Sequence, residues 1–197
     1  GQAMRDHIQK IAFVLPGFQA GGAERVMLTV ANHLDRTRFQ PLVIVFNDSG
    51  PLRDIIAPDI QIISLQSERV GRGAFAFVRA VRECRPDLVI STMAHLNIVV
   101  LLMKPLLPKI PLIIREAVTP GYFFNSIFKW GVLMLGYYIF YPFADRILSP
   151  TKLVFDEMPH FLKSRPEKLR RIFNPVDTDF ISENIDPAFR SNLAGRH

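Results

Sequence analysis

Residues 11–26 read Ile-Ala-Phe-Val-Leu-Pro-Gly-Phe-Gln-Ala-Gly-Gly-Ala-Glu-Arg-Val. The first five are apolar without interruption, which is typical of a strand in a parallel sheet that is buried on both faces. Pro16 and Gly17 end this strand, and from about Gly22 apolar residues recur with the period of one helix face. The stretch therefore predicts a buried strand, a glycine-rich loop and a helix, in that order.

The same alternation continues through most of the chain. Short apolar runs predict six further strands, separated by turn residues or by stretches of helical period. The predicted strands lie at residues 42–46, 60–65, 88–90, 112–114, 147–148 and 169–173. Helical spacing occurs at residues 74–84 and 94–102, the second stretch ending before Pro105. The pattern predicts an α/β fold in which helices cover a parallel sheet.

The loop between the first strand and the first helix has the composition of a phosphate-binding site. Gly21 and Gly22 let the backbone approach a ligand, and a helix start offers free N–H groups and a partial positive charge. The spacing matches neither the dinucleotide-binding G-x-G-x-x-G pattern nor a P-loop, so an ordinary turn is the alternative interpretation. The missing dinucleotide pattern also argues against an oxidoreductase.

Composition limits the partners and the cellular setting. The 197 residues carry a formal net charge of +6, with a pI of about 9.8, which favours anionic partners. The basic residues are scattered and no nucleic-acid-binding motif accompanies them, so no nucleic-acid partner is predicted. Cys84 is the single cysteine, which favours a reducing, cytoplasmic setting. Residues 1–9 are interpreted as a tag remnant and a lead-in.

Residues 122–143 are rich in aromatic and aliphatic side chains, and Lys129 is their only charged residue. Three interpretations are open: a membrane span, a buried crossover helix, and a helix that lies in a membrane interface. The charge-free run ends at Pro142, which makes it short for a span of about 20 residues. The side chains that favour the headgroup zone are Trp130, Tyr137, Tyr138 and Tyr141. The third interpretation predicts peripheral contact with the inner face of the cytoplasmic membrane.

Five segments carry motifs that occur together in one known family. They are Gly-Gly-Ala-Glu-Arg-Val at 21–26, Ile-Ser-Thr-Met-Ala-His-Leu-Asn at 90–97, Pro-Leu-Ile-Ile-Arg-Glu at 111–116, Ala-Asp-Arg-Ile-Leu-Ser-Pro-Thr at 144–151 and Ile-Phe-Asn-Pro-Val-Asp at 172–177. In this order they resemble the G-G-x-E signature, two strand exits, the A-D-x-I-x-x-x-S element and the N-P-V-D hinge of family-four retaining glycosyltransferases. The resemblance covers nearly the whole chain.

This resemblance implies the acceptor-side, Rossmann-like half of a two-domain GT-B enzyme, with helices on both faces of its sheet. Residues 10–173 would form this domain, and residues 174–197 would hold the hinge, at Asn174 and Pro175, and the start of a truncated second domain. The nucleotide-sugar donor would bind mainly through the missing half, so the chain alone is expected to be inactive. The complete enzyme would transfer a sugar to a lipid-linked or polysaccharide acceptor with retention, in cell-envelope assembly, and without a metal or other cofactor. A stand-alone module that binds an anionic ligand or a partner is the alternative.

The resemblance also implies roles for residues that follow strands, because the carboxyl ends of parallel strands meet at one edge of the sheet. The implied roles are catalytic for His95 and Glu116, donor-phosphate binding for Gly21 and Gly22, and acceptor binding for Glu24, Asn97 and Arg115; no metal ligand is predicted. Glu24 could instead stabilise its helix start, and His95 could be structural. Many relatives have a histidine where this chain has Glu116 or Ala117.

Overall fold

The computed structural model describes residues 8–116, 127–149 and 169–171. The predicted hinge at Asn174 and Pro175 and most of the predicted lead-in lie outside these residues. The proposed division into domains therefore stays a prediction.

A seven-stranded sheet forms the centre of the described molecule, and each strand runs parallel to its neighbours. The strands are β1 (Gln9–Leu15), β2 (Phe39–Val45), β3 (Gln61–Ser64), β4 (Leu88–Thr92), β5 (Leu112–Arg115), β6 (Arg146–Ser149) and β7 (Leu169–Arg171). Their order across the sheet is β3-β2-β1-β4-β5-β6-β7. All seven coincide with predicted strands. β2 begins before its apolar run because its pairing with β1 already starts at Phe39.

Helices cover both faces of this sheet, which confirms the predicted Rossmann-like α/β architecture. The described α-helices are α1 (Gly22–His33), α2 (Ala74–Cys84), α3 (Ala94–Met103) and α4 (Ile127–Phe140). α1 packs on one face with the 3₁₀ helix Pro51–Ile55, and the other three pack on the opposite face. Successive side chains of β1 point to opposite faces of the sheet. Phe13 packs in the hydrophobic cluster on the α1 side, and Val14 packs in the cluster on the side of α2, α3 and α4.

The aromatic segment forms α4 and a 3₁₀ turn, Tyr141–Phe143; residues 122–126 lie outside the described range. No helix among the described residues combines the length and apolarity needed to cross a bilayer. The inner side of α4 is buried, with Leu133 and Tyr137 in the core beside Tyr141. These two tyrosines therefore do not face a headgroup zone, contrary to that part of the interfacial interpretation.

The outer side of α4 contradicts the simple buried-helix interpretation. Val132, Leu135, Tyr138 and Ile139 are all exposed, and so is Phe143 in the turn that follows. Leu102 and Leu106, at and beyond the end of α3, are exposed as well. We call these seven residues the α3–α4 surface.

Candidate active site

The sheet changes its direction of winding between β1 and β4. From β1 the chain proceeds outward through β2 to β3, whereas from β4 it proceeds through β5 and β6 to β7. The loops that leave β1 and β4 therefore diverge, and open α/β sheets bind ligands in the crevice that results. The predicted phosphate loop follows β1 and His95 follows β4, so both border this crevice.

The phosphate loop ends at the start of α1. Gly21 is extended (φ −76°, ψ 148°) and is the residue that precedes the first helical turn. The first amide of α1 with an intrahelical acceptor belongs to Arg25, which donates to the Gly21 carbonyl at 3.2 Å. The N–H groups of residues 22–24 precede that bond, as in any helix start. Gly22 is exposed, and a Cβ there would meet no atom within 4 Å.

Glu24 turns back toward this helix start instead of extending into the crevice. Its side chain is buried, and its carboxylate lies so close to Gly21 that a Cβ on Gly21 would collide with it. A negative charge in the first turn stabilises a helix through the helix dipole. The geometry thus favours the alternative interpretation of Glu24, in which it supports α1, over direct contact with an acceptor.

A turn after β2 holds the phosphate loop in place. Phe18 donates its N–H to the carbonyl of Ser49 at 3.2 Å and accepts from the N–H of Leu52 at 3.0 Å. The side-chain amide of Gln19 also donates to Ser49, at 3.3 Å. Gly50 lies in this turn with φ 130°, in the region that favours glycine. Ser49 and Gly50 are ordinary turn residues in the sequence, which does not indicate their contact with the loop.

The exit of β4 combines an unusual backbone with an exposed imidazole. Met93, directly before α3, has φ 75° and ψ 132°, a conformation that costs free energy for a residue with a side chain. His95 lies one residue inside α3 and has an exposed side chain. Protein atoms around the ring nevertheless remove enough water that desolvation lowers the pKa of His95. The imidazole is therefore neutral near pH 7 and can donate or accept one hydrogen bond.

Arg115 places a cation at the end of β5. It is half-buried, and its Nη1 donates to the hydroxyl oxygen of Thr92 at 3.4 Å. Burial lowers the pKa of Arg115, and the nearby Glu116 carboxylate opposes that change. A guanidinium stays protonated in such a site and suits anionic or hydroxyl-rich ligands. The predicted role of Arg115 in acceptor binding stays a prediction.

Asn97 and Glu116 are buried, and their polar atoms bind other groups of the protein. Ser91 donates to Asn97 Oδ1 at 2.7 Å, and Asn97 Nδ2 donates to the carbonyl of Arg115 at 3.1 Å. The hydroxyl of Tyr141 accepts from Asn97 Nδ2 at 3.4 Å and donates to Glu116 Oε2. The polar groups of both residues are thus engaged within the protein, and their predicted roles, catalysis for Glu116 and acceptor binding for Asn97, stay predictions.

Two tyrosine rings, one on α4 and one in the turn after it, pack against each other beside this network. Tyr137 and Tyr141 make an edge-to-face contact with centroids 4.2 Å apart. Burial, followed by the charge of Glu116, raises the pKa of both phenols, so both stay neutral. The hydroxyl of Tyr137 is buried and lies near Glu116, but it has no partner with hydrogen-bond geometry. Tyr141 could not be predicted from the sequence as part of this network, because its partners are 25 and 44 positions away.

Among the described side chains, no three His, Cys, Asp or Glu residues lie close enough together to hold a metal ion. The ends of β1, β4 and β5 are followed or formed by backbone amides of a helix start, an imidazole and a guanidinium, respectively. Such donors bind anionic and hydroxyl groups.

Comparison with known proteins identifies a relative of this chain. A galactosaminyltransferase of Campylobacter jejuni, named for α-1,4 transfer of N-acetylgalactosamine to GalNAc-α-(1→4)-GalNAc-α-(1→3)-diNAcBac-PP-undecaprenol, is 27% identical over 198 residues. That alignment covers 90% of this chain and 51% of the relative. The chain thus spans about half the length of this enzyme.

Solved structures agree on the fold. HepE of Anabaena, crystallised with UDP, superposes with a TM-score of 0.59 at 19% identity, over 84% of this chain and 44% of its own. The UDP-GlcNAc 2-epimerase of Methanocaldococcus jannaschii also superposes with a TM-score of 0.59, at 15% identity. That superposition covers 93% of this chain and 52% of the epimerase chain. The described sheet is therefore the Rossmann-like architecture of one half of GT-B proteins. Residues 20–180 match the model of Glycosyltransferase Family 4, so this chain belongs to that family.

Proposed function

We propose that the protein containing this chain transfers a sugar from a nucleotide sugar to a lipid-linked acceptor. The observation that carries the proposal is the set of strand ends around the crevice between β1 and β4: a glycine loop at a helix start follows β1, His95 follows β4, and Arg115 ends β5 next to β4. Membership of Glycosyltransferase Family 4 supports the reaction class. The relative from Campylobacter jejuni is named for an undecaprenol-diphosphate-linked acceptor, which supports the acceptor class.

The donor diphosphate is proposed to meet the phosphate loop at Gly21 and Gly22. The open space at Gly22 lets a ligand reach the free amides of the first turn of α1, and the helix dipole favours its negative charge. Charge builds on the diphosphate as the sugar departs, so these amides would stabilise the transition state. A second domain would bind the rest of the donor.

The acceptor is proposed to contact His95 and Arg115. A neutral imidazole can hydrogen-bond an acceptor hydroxyl, and a guanidinium can bind the diphosphate that joins an acceptor sugar to its lipid. Asn97 and Glu116 would support these contacts from behind, and Glu24 would stabilise the loop. Transfer is proposed to proceed with retention and without a metal, as the resemblance to retaining family-four glycosyltransferases implies.

The α3–α4 surface is proposed to rest on the membrane that holds the lipid-linked acceptor. Its seven exposed apolar residues lie along α4, in the turn after it and around the end of α3. Two of them, Leu102 and Phe143, also line a groove of about 440 Å³ together with Lys104 and Lys109. An apolar face bordered by cations is what an anionic bilayer surface attracts. The protein would then act peripherally at the cytoplasmic face.

The test uses the full-length protein with radiolabelled UDP-hexoses and UDP-N-acetylhexosamines and a short prenyl-diphosphate-linked sugar as acceptor. We expect one donor to give a product whose new linkage, read by NMR, has the anomeric configuration of the donor. Chelation with EDTA should leave the rate unchanged. Arg115→Gln should raise the KM for this acceptor more than the KM for a matched sugar that lacks the diphosphate.

An inverted linkage would exclude retention, and a rate abolished by EDTA would exclude the metal-free mechanism. If the folded protein binds the prenyl-linked sugar but transfers nothing from any donor, the transferase is rejected in favour of a binding module.

A further inference from the structure

The buried hydroxyl of Tyr141 joins the ends of two neighbouring strands. Asn97 Nδ2 donates to it from the first turns of α3, and it donates in turn to the carboxylate of Glu116, directly after β5. The Asn97 amide also holds the carbonyl of Arg115 at 3.1 Å. One phenol thus connects three elements: α3, the end of β5 and the turn after α4.

The two residues proposed to touch the acceptor, His95 and Arg115, are close in sequence to the residues that Tyr141 binds. His95 lies two positions before Asn97 on α3, and Arg115 immediately precedes Glu116. Glu116 is further fixed by its backbone N–H, which donates to Leu148 on β6 at 2.9 Å. A shift of Asn97 or Glu116 would therefore move the imidazole or the guanidinium.

We infer that Tyr141 is a positioning residue for the acceptor side of the site, because its hydroxyl fixes Asn97 and Glu116 and through them His95 and Arg115. This inference rests on the proposed function for its catalytic consequence, although the contacts themselves do not. The phenol is suited to the task because burial and the charge of Glu116 raise its pKa, so it remains a donor at all physiological pH values.

Among the described residues, three titratable groups lie near the Glu116 carboxylate. Tyr137 and Tyr141 approach from α4 and the turn after it, and Arg115 approaches from β5. Donation from Tyr141 stabilises the ionised carboxylate. Removal of that hydroxyl should therefore raise the pKa of Glu116 above its wild-type value. A general loss of packing would not change the pKa of this one carboxyl selectively.

The first arm of the test needs no turnover. Full-length protein labelled with ¹³C at the glutamate carboxyls is titrated by NMR, and the Glu116 signal is assigned by its loss in Glu116→Gln. We expect the Glu116 midpoint to move to higher pH in Tyr141→Phe and to stay unchanged in Tyr138→Phe, which removes an exposed phenol from α4. An unchanged midpoint in a folded Tyr141→Phe protein would overturn the inference, whether or not the protein is a transferase.

The second arm measures kcat/KM for the acceptor in a double-mutant cycle. If Tyr141 acts through Glu116, Tyr141→Phe lowers kcat/KM about tenfold in the wild type and has little further effect in Glu116→Gln. The acid limb of the pH profile should move to higher pH in Tyr141→Phe. Fully additive losses with an unmoved acid limb would overturn the positioning role. No turnover in the wild type would instead reject the proposed function, and the NMR arm would still decide this inference.

Discussion

Gly50 lies against the backbone of Phe18, so that the turn after β2 directly supports the phosphate loop. A Cβ at Gly50 would come within 2.8 Å of the Gln19 nitrogen and closer still to the Phe18 carbonyl. The φ of Gly50, 130°, is also one that residues with a side chain rarely adopt. Backbone atoms cannot move aside as a flexible side chain can, so this contact requires glycine.

Gly50→Ala should therefore destabilise the protein. We expect the free energy of unfolding to fall by about 1–3 kcal/mol, because the substitution combines backbone strain with a steric collision. Urea unfolding followed by circular dichroism measures the change. Gly71→Ala is the matched control, since its Cβ would meet nothing within 4 Å, and its stability should stay equal or rise slightly. Equal stability of both variants would show that the turn does not support the loop.

Gly22→Asp should nearly abolish turnover of the full-length protein. It places a carboxylate where free amides are proposed to meet the donor diphosphate, and loss of one such donor alone costs roughly a hundredfold to a thousandfold in rate. A Cβ at this position meets no neighbouring atom, so no steric effect is expected. Gly22→Ala should accordingly keep most of the rate.

Initial rates at saturating acceptor, together with melting temperatures, check this pair of variants. A normal rate for a folded Gly22→Asp protein would show that the donor diphosphate does not bind at this loop. An equal loss of rate in Gly22→Asp and Gly22→Ala would show that the cause is steric and not charge repulsion.

The positions of the strands and both layers of the fold could be predicted from the sequence because the signal is local. Uninterrupted apolar runs such as Ile11–Leu15 mark strands whose two faces are both covered, and the glycine loop marks the first strand exit. The aromatic segment shows the limit of hydropathy. Tyr137 and Tyr138 are adjacent and chemically identical, yet one is buried and the other exposed, because packing against the sheet decides which side of α4 turns inward.

The site was predictable only in part, for a related reason. Strand exits place Gly22, His95 and Arg115 near one crevice by topology alone. The inward direction of Asn97 and Glu116 depends on a hydroxyl from Tyr141, distant in sequence. Nothing in the residues around Glu116 indicates that contact, so an acidic residue after a strand was expected to face the substrate.

Tyr137→Phe should leave the protein as stable as the wild type or raise its free energy of unfolding by up to about 1 kcal/mol. The buried hydroxyl lacks a hydrogen-bond partner, and removing an unsatisfied polar group relieves a desolvation penalty. Thermal unfolding measures the effect, with Tyr138→Phe as an exposed control expected to be neutral. A clear loss of stability for Tyr137→Phe alone would mean that this phenol binds Glu116 in solution.

His95 should titrate below the 6.5 of an unperturbed imidazole, because desolvation disfavours its charged form. Since the folded pKa is lowered, stability from this group is complete above about pH 6.5 and declines as the pH falls toward the lowered value. Two-dimensional NMR of the imidazole, assigned with His95→Gln, gives the midpoint. A midpoint at or above 6.5 would contradict the proposed neutral hydrogen-bonding role.

Substitution on the α3–α4 surface should weaken binding to anionic vesicles. Leu135→Ser with Ile139→Ser removes two exposed apolar side chains from one side of α4, and full burial of each contributes about 1.5–3 kcal/mol, so the partition coefficient should fall at least about tenfold. Sedimentation with vesicles of phosphatidylglycerol and phosphatidylethanolamine measures this coefficient. Ile55→Ser is the control, because Ile55 is an exposed isoleucine in the 3₁₀ helix on the α1 face and should not change it. If the wild type ignores vesicles but self-associates, and the double variant is monomeric, the surface binds a second copy and the membrane proposal is rejected.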